Sequence, residues 1–178
     1  MIRTRVGYAG GDKEDPTYRS LGNHAETIEI DYDPQQITYE ELLELFWRSH
    51  EPATRPYSRQ YASIIFYHDE EQKRLAEETM AREAERRGRS LYTEIVPYER
   101  FWLAEDYHQK DYLQGRDELL AEYQAIYPDA ADFVNSTAVA RVNGYAGGNG
   151  DLARLEAEID DLGLSAAGQE RLREIVGR

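Results

Sequence analysis

The sequence predicts a mixed α/β domain followed by a helical C-terminal extension. Residues 24–32 alternate between two sets of side chains, as a half-buried strand does. Residues 39–46 instead place their apolar side chains at helical spacing. Beyond Pro128 the strand-like segments stop, and only short helical patterns remain. We therefore expect an α/β domain over residues 1–128 and a helical extension over residues 129–178.

Short strands and loops fill the first half of the chain. Residues 3–9 are β-like and end at a Gly-Gly pair, and a polar loop then leads to the strand at 24–32. Asp33-Pro34 ends that strand, because proline restricts the backbone before it. Residues 61–67 are apolar on both faces and predict a central strand. A further strand is expected at 91–96.

The helices have clear starting signals. Thr38 and Glu41 have the spacing of a capping box, which places the start of the first helix. Asp69 is a predicted N-cap for a second helix that runs to about Arg87. Three later helices are expected, at residues 105–127 with an interruption near Gly115, at residues 151–161, and at residues 166–176 with Ser165 as the cap.

One glycine-rich pattern occurs twice. The segment from Arg141 to Gly148 repeats most of the segment from Arg5 to Gly11. Structural repeats have periods of about 20–50 residues, so this similarity between two short segments is too brief to be a structural repeat. Chance or a second Gly-rich turn explains it better.

Composition and charge exclude several classes of protein. No apolar run approaches the length of a membrane span, and the first residues lack the pattern of a secretory signal. We therefore expect a cytoplasmic protein with no membrane partner. The net charge of −14 argues against a nucleic-acid partner, because a polyanion would be repelled. A solvated acidic surface that aids solubility explains this charge, and a salt-adapted source is the alternative.

None of the 178 residues is a cysteine. This composition excludes a disulfide framework, a cysteine metal site and a thiol nucleophile within these residues. The four histidines, His24, His50, His68 and His108, show no metal-ligand spacing. We expect no metal site, and we expect structural or capping roles for these side chains.

Six segments follow one another in a characteristic order. They are Val6-Gly7-Tyr8-Ala9-Gly10-Gly11, Pro16-Thr17-Tyr18, Gly22-Asn23-His24-Ala25-Glu26, Tyr32-Asp33-Pro34, Gln60-Tyr61-Ala62-Ser63 and Ala104-Glu105-Asp106-Tyr107-His108-Gln109-Lys110. Their order and spacing over residues 3–112 resemble the peptide-methionine (S)-S-oxide reductases, the A-type methionine sulfoxide reductases. The resemblance implies a two-layer ferredoxin-like plait that reduces methionine sulfoxide, free or in peptides, to methionine.

The resemblance also implies a site and a partner. In that family a cysteine thiolate attacks the sulfoxide sulfur, and thiols, finally thioredoxin, reduce the resulting sulfenic acid without another cofactor. By motif, Glu26 is the catalytic acid, and Tyr8 and Tyr61 hold the sulfoxide oxygen. Glu26 also shares a strand face with Ile28 and Ile30, where burial would favour a neutral, proton-donating carboxyl. The alternative is a solvated Glu26 and two ordinary core tyrosines.

Two features depart from the family pattern. The Gly-Cys-Phe-Trp-Gly segment, at the end of the family's first strand, is expected upstream of Arg3 and does not occur in these residues. The loop before Tyr61 reads Pro56-Tyr57-Ser58-Arg59-Gln60, whereas many members have an aspartate followed by Gly-Thr-Gln. An acidic partner of the site is thereby lost from this loop.

Two hypotheses follow from these departures. The first is a reductase whose true start lies upstream of residue 1. The second is a non-catalytic descendant that binds methionine sulfoxide or a peptide, or that is purely structural. In either case we expect no turnover by the 178 residues alone. Because the first strand of a plait is interior, its absence should expose strand edges to aggregation, dimerisation or the C-terminal extension.

Overall fold

The structure is a computed structural model that describes residues 2–177. The chain divides into two compact units, Val6–Ala104 and Met1–Arg5 together with Glu105–Arg178. The division falls earlier than the boundary expected after residue 128, because Leu113, Leu119 and Tyr123 share a core with the C-terminal helices.

Five strands form two small sheets. The strands are β1 (Arg3–Ala9), β2 (Ala25–Asp31), β3 (Ile64–Tyr67), β4 (Glu94–Pro97) and β5 (Phe101–Leu103). The first sheet has the order β2-β1-β5, with β1 antiparallel to β5, and the second pairs β3 with β4 in parallel. Gly7 lies opposite Leu103, and a Cβ at Gly7 would stand only 2.2 Å from the Trp102 carbonyl oxygen. A larger residue at position 7 would therefore push β1 and β5 apart.

The strand expected at 61–67 differs from the prediction. Residues Arg59–Tyr61 form a 3-10 turn, and β3 begins only at Ile64. Within residues 2–177, β3 pairs with β4 alone, so it lies at a sheet edge and is not central. The strand predicted at 91–96 is observed as β4 at 94–97, and the three-residue β5 was not predicted.

Two helices complete the α/β unit. Helix α1 (Tyr39–Ser49) begins with the predicted capping box, since the Glu41 N–H donates to Thr38 Oγ1 at 3.2 Å and the Thr38 N–H donates to Glu41 Oε2 at 2.7 Å. Helix α2 (Glu70–Arg87) begins after Asp69, as predicted. Both helices pack on β3 through a buried cluster of Leu43, Trp47, Ile65 and Ala76.

The second unit is helical. Its helices are α3 (Asp111–Gln114), α4 (Asp117–Ile126), α5 (Ala130–Asn135), α6 (Thr137–Ala146), α7 (Leu152–Glu158) and α8 (Ala166–Val176). The Tyr123 hydroxyl donates to the Leu162 carbonyl at 2.8 Å inside this core. The mixed α/β class and the helical C-terminal region are thus confirmed. Among residues 2–177 no helix combines the length and apolar character that crossing a bilayer requires.

The repeated Gly-rich pattern folds differently at its two positions. Val6 to Ala9 lies in β1, whereas Val142 to Ala146 lies in α6. Ser136 caps α6, and Val139, Val142 and Tyr145 are buried at a spacing of three residues. The apolar spacing around the second copy therefore favours a helix. The expected Gly-rich turn is limited to the end of α6.

Candidate functional site

A cavity of about 510 Å³ lies in the α/β unit. Its walls come from β2, α1, the 3-10 turn at Arg59–Tyr61 and β3, and its lining includes Ala25, Glu26, Ile28, Leu42, Phe46, Gln60, Tyr61 and Phe66. The volume is within the range of small-molecule sites, about 300–1,000 Å³. The cavity is mostly apolar, and its polar lining residues include Glu26, Gln60 and Tyr61.

Glu26 and Gln60 meet at this cavity. Glu26 is the second residue of β2, and Gln60 lies in the 3-10 turn. The Gln60 Nε2 donates to Glu26 Oε1 at 2.6 Å. Gln60 was not singled out as a site residue from the sequence. Its amide fixes the orientation of the carboxyl group that the sequence identified.

Tyr61 follows Gln60 in the same turn and contacts a second tyrosine. A side-chain hydrogen bond with Tyr18 raises the pKa of the Tyr61 phenol, and the nearby Glu26 carboxylate acts in the same direction. Tyr61 is 54 % exposed and lines the cavity. A phenol with a raised pKa keeps its proton at neutral pH and remains a hydrogen-bond donor.

Tyr18 is held at the tip of a tight turn. The Ser20 N–H donates to the Thr17 carbonyl at 2.9 Å, and the Thr17 N–H donates back at 3.3 Å. The Lys13 ammonium group adds a bond to the Ser20 hydroxyl at 2.6 Å. This bridged turn positions Tyr18 beside Tyr61, so the structure assembles Tyr18, Tyr61 and Glu26 into one group. We call it the tyrosine–glutamate group.

Arg59 fixes the turn that carries Gln60 and Tyr61. Its Nη1 pairs with Glu94 Oε1 at 2.6 Å, and its Nε donates to the Asn23 carbonyl at 3.4 Å. The turn is thereby tied both to β4 and to the loop that precedes β2. Arg59 belongs to the segment that departs from the family pattern. In this chain its guanidinium group is what holds the loop in place.

His24 and the glycines of the first motif hold the start of β2. The Gly11 N–H donates to His24 Nδ1 at 3.1 Å, so the ring proton is on Nε2, which donates to the Lys13 carbonyl at 2.8 Å. Gly10 has a φ of +77°, and a Cβ there would stand 2.9 Å from the Phe66 ring. His24 is 1 % exposed, and its two hydrogen bonds give it a structural role, as expected.

Tyr8 is buried and is not among the residues that line the cavity. Tyr8 is 2 % exposed and packs with Leu21 and Ala104, whereas its neighbour Ala9 lines the cavity. Successive side chains of a strand point to opposite faces, so β1 presents Ala9 to the cavity and Tyr8 to the core.

Glu26 is also less buried than its sequence pattern predicted. The side chain is exposed, and Ile28, on the same face of β2, is 56 % exposed. The physical reason is that this part of β2 borders the open cavity, so its apolar neighbours do not exclude water.

His50 and His68 have structural contacts. His50 Nε2 bonds Ser63 Oγ at 2.8 Å and His50 Nδ1 bonds the Phe46 carbonyl at 2.9 Å, while His68 stacks on Tyr98 with ring centroids 4.4 Å apart. In the described part of the chain, no three His, Asp or Glu side chains lie close enough together to hold a metal ion.

Glu26 and Tyr61 line an apolar cavity, and the Tyr18 phenol is hydrogen-bonded to Tyr61. Phenol hydroxyls donate hydrogen bonds, and a carboxyl donates or accepts a proton according to its ionisation. Such a group is suited to hold a strongly polar oxygen acceptor whose substituents are apolar. It contains no nucleophile for covalent chemistry.

Comparison with known proteins assigns the fold to a family. The family model for peptide methionine sulfoxide reductase matches residues 1–142. A second model, described as the helical domain of selenoprotein methionine sulfoxide reductase A, matches residues 131–177. Together the two models account for both the α/β unit and the C-terminal helices.

Individual relatives agree with these models. A peptide methionine sulfoxide reductase of Drosophila melanogaster is 46 % identical over 167 residues, covering 93 % of this chain and 67 % of that protein. The enzyme MsrA of Leifsonia xyli subsp. xyli is 48 % identical over 122 residues, covering 64 % of this chain and 71 % of that protein. The chain thus spans about two thirds of the length of these relatives.

Solved structures give the same result. Reduced Mxr1 from Saccharomyces cerevisiae has a TM-score of 0.57 at 27 % identity, covering 65 % of this chain and 70 % of that one. Methionine sulfoxide reductase A of Corynebacterium diphtheriae has a TM-score of 0.54 at 29 % identity, covering 66 % of this chain and 63 % of that one. By sequence match and by fold, the chain belongs to the peptide methionine sulfoxide reductase family.

Proposed function

We propose that these 178 residues form the sulfoxide-binding part of a peptide-methionine (S)-S-oxide reductase. The observation that supports this proposal most directly is the tyrosine–glutamate group at an apolar cavity. A methionine sulfoxide side chain has one strongly polar oxygen, a methyl group and an apolar stem. Phenol donors from Tyr18 and Tyr61 match the oxygen, and the apolar walls match the methyl group.

In this proposal the three side chains have separate roles. Tyr18 and Tyr61 are substrate-binding residues that donate hydrogen bonds to the sulfoxide oxygen. Glu26 is the catalytic acid, and Gln60 orients it through the 2.6 Å contact. As a nucleophile attacks the sulfur, negative charge grows on the oxygen, and a proton from Glu26 neutralises it. Tyr8 packs against Leu21 and Ala104 in the core of the same unit.

The covalent step needs a nucleophile that these residues do not contain. A thiolate bonds to the sulfoxide sulfur and the oxygen takes one proton. The sulfur–oxygen bond of the substrate then breaks, the hydroxyl group bonds to the sulfur of the nucleophile, and the bond between the two sulfur atoms breaks. The oxygen ends on the nucleophile as a sulfenic acid, and the thioether is released. The chain has no cysteine, so we expect binding without reduction. A selenolate serves the same purpose, in keeping with the selenoprotein description of the matched helical domain.

Once such a nucleophile is supplied, the sulfenic acid must be reduced by thiols. We propose thioredoxin or another thiol reductant as the final electron donor, and methionine sulfoxide, free or in peptides, as the substrate. The alternative is a descendant of the family that binds neither substrate nor reductant and serves only as a structural module.

Calorimetry with the purified 178-residue chain separates these possibilities. The ligand is N-acetyl-methionine (S)-sulfoxide methylamide, and chromatography with dithiothreitol present measures its reduction. We expect a dissociation constant in the micromolar to millimolar range, weaker binding by Glu26→Gln, and no thioether product. Reduction by the unmodified chain would contradict the proposed requirement for an external nucleophile. Absence of binding would leave only the structural alternative.

A further inference from the structure

The turn at Arg59–Tyr61, which carries Gln60 and Tyr61 of the candidate site, is not fixed by packing of its own. It buries none of its three residues, and no side chain caps its start at Ser58. Backbone bonds within the turn, such as the one from the Tyr61 N–H to the Ser58 carbonyl at 3.2 Å, set its shape. They do not set its position relative to β2 or β4. That position must come from side-chain contacts.

Arg59 makes two such contacts, and each ends on a group that the fold holds. Its Nη1 pairs with Glu94 Oε1 at 2.6 Å. Glu94 is the first residue of β4, and its N–H donates to the Ser63 carbonyl at 3.0 Å. The Arg59 Nε donates to the Asn23 carbonyl at 3.4 Å, next to the buried His24. One guanidinium group therefore links the sheet β3-β4 to the loop before β2.

The guanidinium group has little freedom to move. The Arg59 side chain is 35 % exposed, so most of its surface is covered. A Cβ at Gly10 would stand 3.7 Å from Arg59 Nη2, so the backbone at Gly10 forms one wall beside it. A planar guanidinium presents its donors in a rigid fork, and two acceptors in different directions fix its orientation. Arg59 therefore fixes the position of the turn as well as balancing the charge of Glu94.

The two residues that follow Arg59 depend on that position. The Gln60 Nε2 reaches Glu26 Oε1 at 2.6 Å, and a shift of about 1 Å would take this contact beyond hydrogen-bonding distance. Tyr61 is hydrogen-bonded to Tyr18, which is held by a bridged turn of its own. Both contacts therefore form only when the turn stands in one place.

We infer that the ion pair between Arg59 and Glu94 positions the tyrosine–glutamate group for its ligand. Arg59 and Glu94 are positioning residues, which act through Gln60 and Tyr61 without touching the ligand. The inference rests on the proposed function where it concerns affinity for a sulfoxide. The geometry of the group is measurable without any ligand.

The pair should matter more for affinity than for stability. The side chains of Arg59 and Glu94 are 35 % and 46 % exposed. Partly exposed ion pairs contribute little to the free energy of unfolding, because water screens the charges and two long side chains lose freedom. A displaced turn, in contrast, moves a phenol donor and the partner of the carboxyl group away from the ligand. A purely structural ion pair would not have this effect.

Two single variants remove the pair from opposite sides. Arg59→Gln removes the cation, and Glu94→Gln removes the anion while the guanidinium group remains. In both variants the dissociation constant for N-acetyl-methionine (S)-sulfoxide methylamide should increase by about 2- to 12-fold, the change expected for one lost hydrogen bond. Calorimetry measures this change. Urea melts of both variants should stay close to those of the unchanged chain.

Tyr61 reports the position of the turn in the absence of ligand. Its contact with Tyr18 raises the pKa of the Tyr61 phenol. Nuclear magnetic resonance of carbon-13 labelled tyrosine rings should show this pKa falling toward its ordinary value in Arg59→Gln and in Glu94→Gln. If the unchanged chain did not bind the sulfoxide, the proposed function would fail, whereas this titration would still decide the role of the pair.

A charge swap and a second ion pair provide the controls. The double variant Arg59→Glu with Glu94→Arg restores a pair of opposite charges, so it should bind the sulfoxide more tightly than either single charge reversal. Arg82 Nη2 pairs with Glu40 Oε1 at 2.5 Å and joins α2 to α1, and neither residue lines the cavity. Arg82→Gln should therefore change neither the sulfoxide affinity nor the titration of Tyr61.

Several results would overturn the inference. An unchanged Tyr61 titration in Arg59→Gln and Glu94→Gln would show that the pair does not place the turn. Unchanged affinity of these variants, when the unchanged chain binds the sulfoxide, would contradict the link to the ligand. An equal loss of affinity in Arg82→Gln, or a charge swap that binds no more tightly than the single reversals, would show that the effect does not come from this pair.

Discussion

Replacing Tyr18 by phenylalanine removes one phenol hydroxyl from the tyrosine–glutamate group and leaves the aromatic ring in place. Tyr18 is 41 % exposed at the tip of its turn, so the variant should fold normally. If Tyr18 donates one hydrogen bond to the bound sulfoxide, the loss amounts to about 0.5–1.5 kcal/mol. The dissociation constant for the sulfoxide should therefore increase by about 2- to 12-fold.

The same variant should also change the titration of Tyr61. The hydrogen bond that Tyr61 makes with Tyr18 is the largest cause of the raised pKa of Tyr61. In Tyr18→Phe the pKa of Tyr61 should therefore fall toward its ordinary value. Nuclear magnetic resonance of the chain with carbon-13 in its tyrosine rings measures this change directly, and a Tyr61→Phe sample assigns the signal.

The controls for this prediction are two other tyrosines. Tyr57 is 96 % exposed and does not line the cavity, so Tyr57→Phe should leave sulfoxide binding unchanged. Tyr8→Phe tests the position that the sequence pattern favoured, and it should alter stability more than sulfoxide affinity. Loss of affinity in Tyr8→Phe, together with unchanged affinity in Tyr18→Phe, would refute the assignment of the oxygen-binding phenols.

Three further predictions concern the fold. Burial lowers the pKa of Lys110 to about 8, with Arg5 adding to the effect, so the unfolded chain binds more protons above that pH. The free energy of unfolding should rise between pH 8 and 10 by up to about 3 kcal/mol, and Lys110→Met should lack this rise in urea melts. Hydrogen-bonded ion pairs with Arg86 and Arg87 lower the pKa of Glu83 to about 2. The chain should therefore have a larger free energy of unfolding than the variant Glu83→Gln near neutral pH, and this difference should disappear as pH falls from 4.5 toward 2. Acid titrations by circular dichroism that are the same for both proteins would contradict this. Gly10→Ala should lower the free energy of unfolding by about 1–2 kcal/mol, because position 10 has a left-handed backbone conformation. An unchanged melting midpoint would contradict the close approach of Phe66 to this position.

Local signals in the sequence were sufficient to place the starts of α1 and α2, whereas the helix expected at 105–127 is observed as a 3-10 turn, α3 and α4. Thr38 with Glu41, and Asp69 before α2, act within one helical turn, so their capping bonds depend on no distant residue. The repeated Gly-rich pattern illustrates the opposite case. Its residues form a strand at Val6 and a helix at Val142, because neighbours outside the pattern decide which face can be buried.

The candidate site was predicted only in part for a related reason. Glu26 and Tyr61 were found because motif order places them, and the structure brings them to one cavity. Tyr8 and Tyr18 lie in adjacent motifs. Their different surroundings follow from the direction of the β1 side chains and from the turn closed by Thr17. The exposure of Glu26 depends on a cavity formed by strand edges distant in sequence, which periodicity does not reveal.

The measurement that tests the central claim most directly compares two ligands that differ by one oxygen atom. Calorimetry of the 178-residue chain with N-acetyl-methionine (S)-sulfoxide methylamide, and then with the corresponding thioether, isolates the contribution of the sulfoxide oxygen. Two phenol hydrogen bonds at about 1 kcal/mol each predict binding of the sulfoxide about tenfold or more tighter than that of the thioether. Equal affinities for the two ligands would contradict the role of Tyr18, Tyr61 and Glu26 in holding that oxygen.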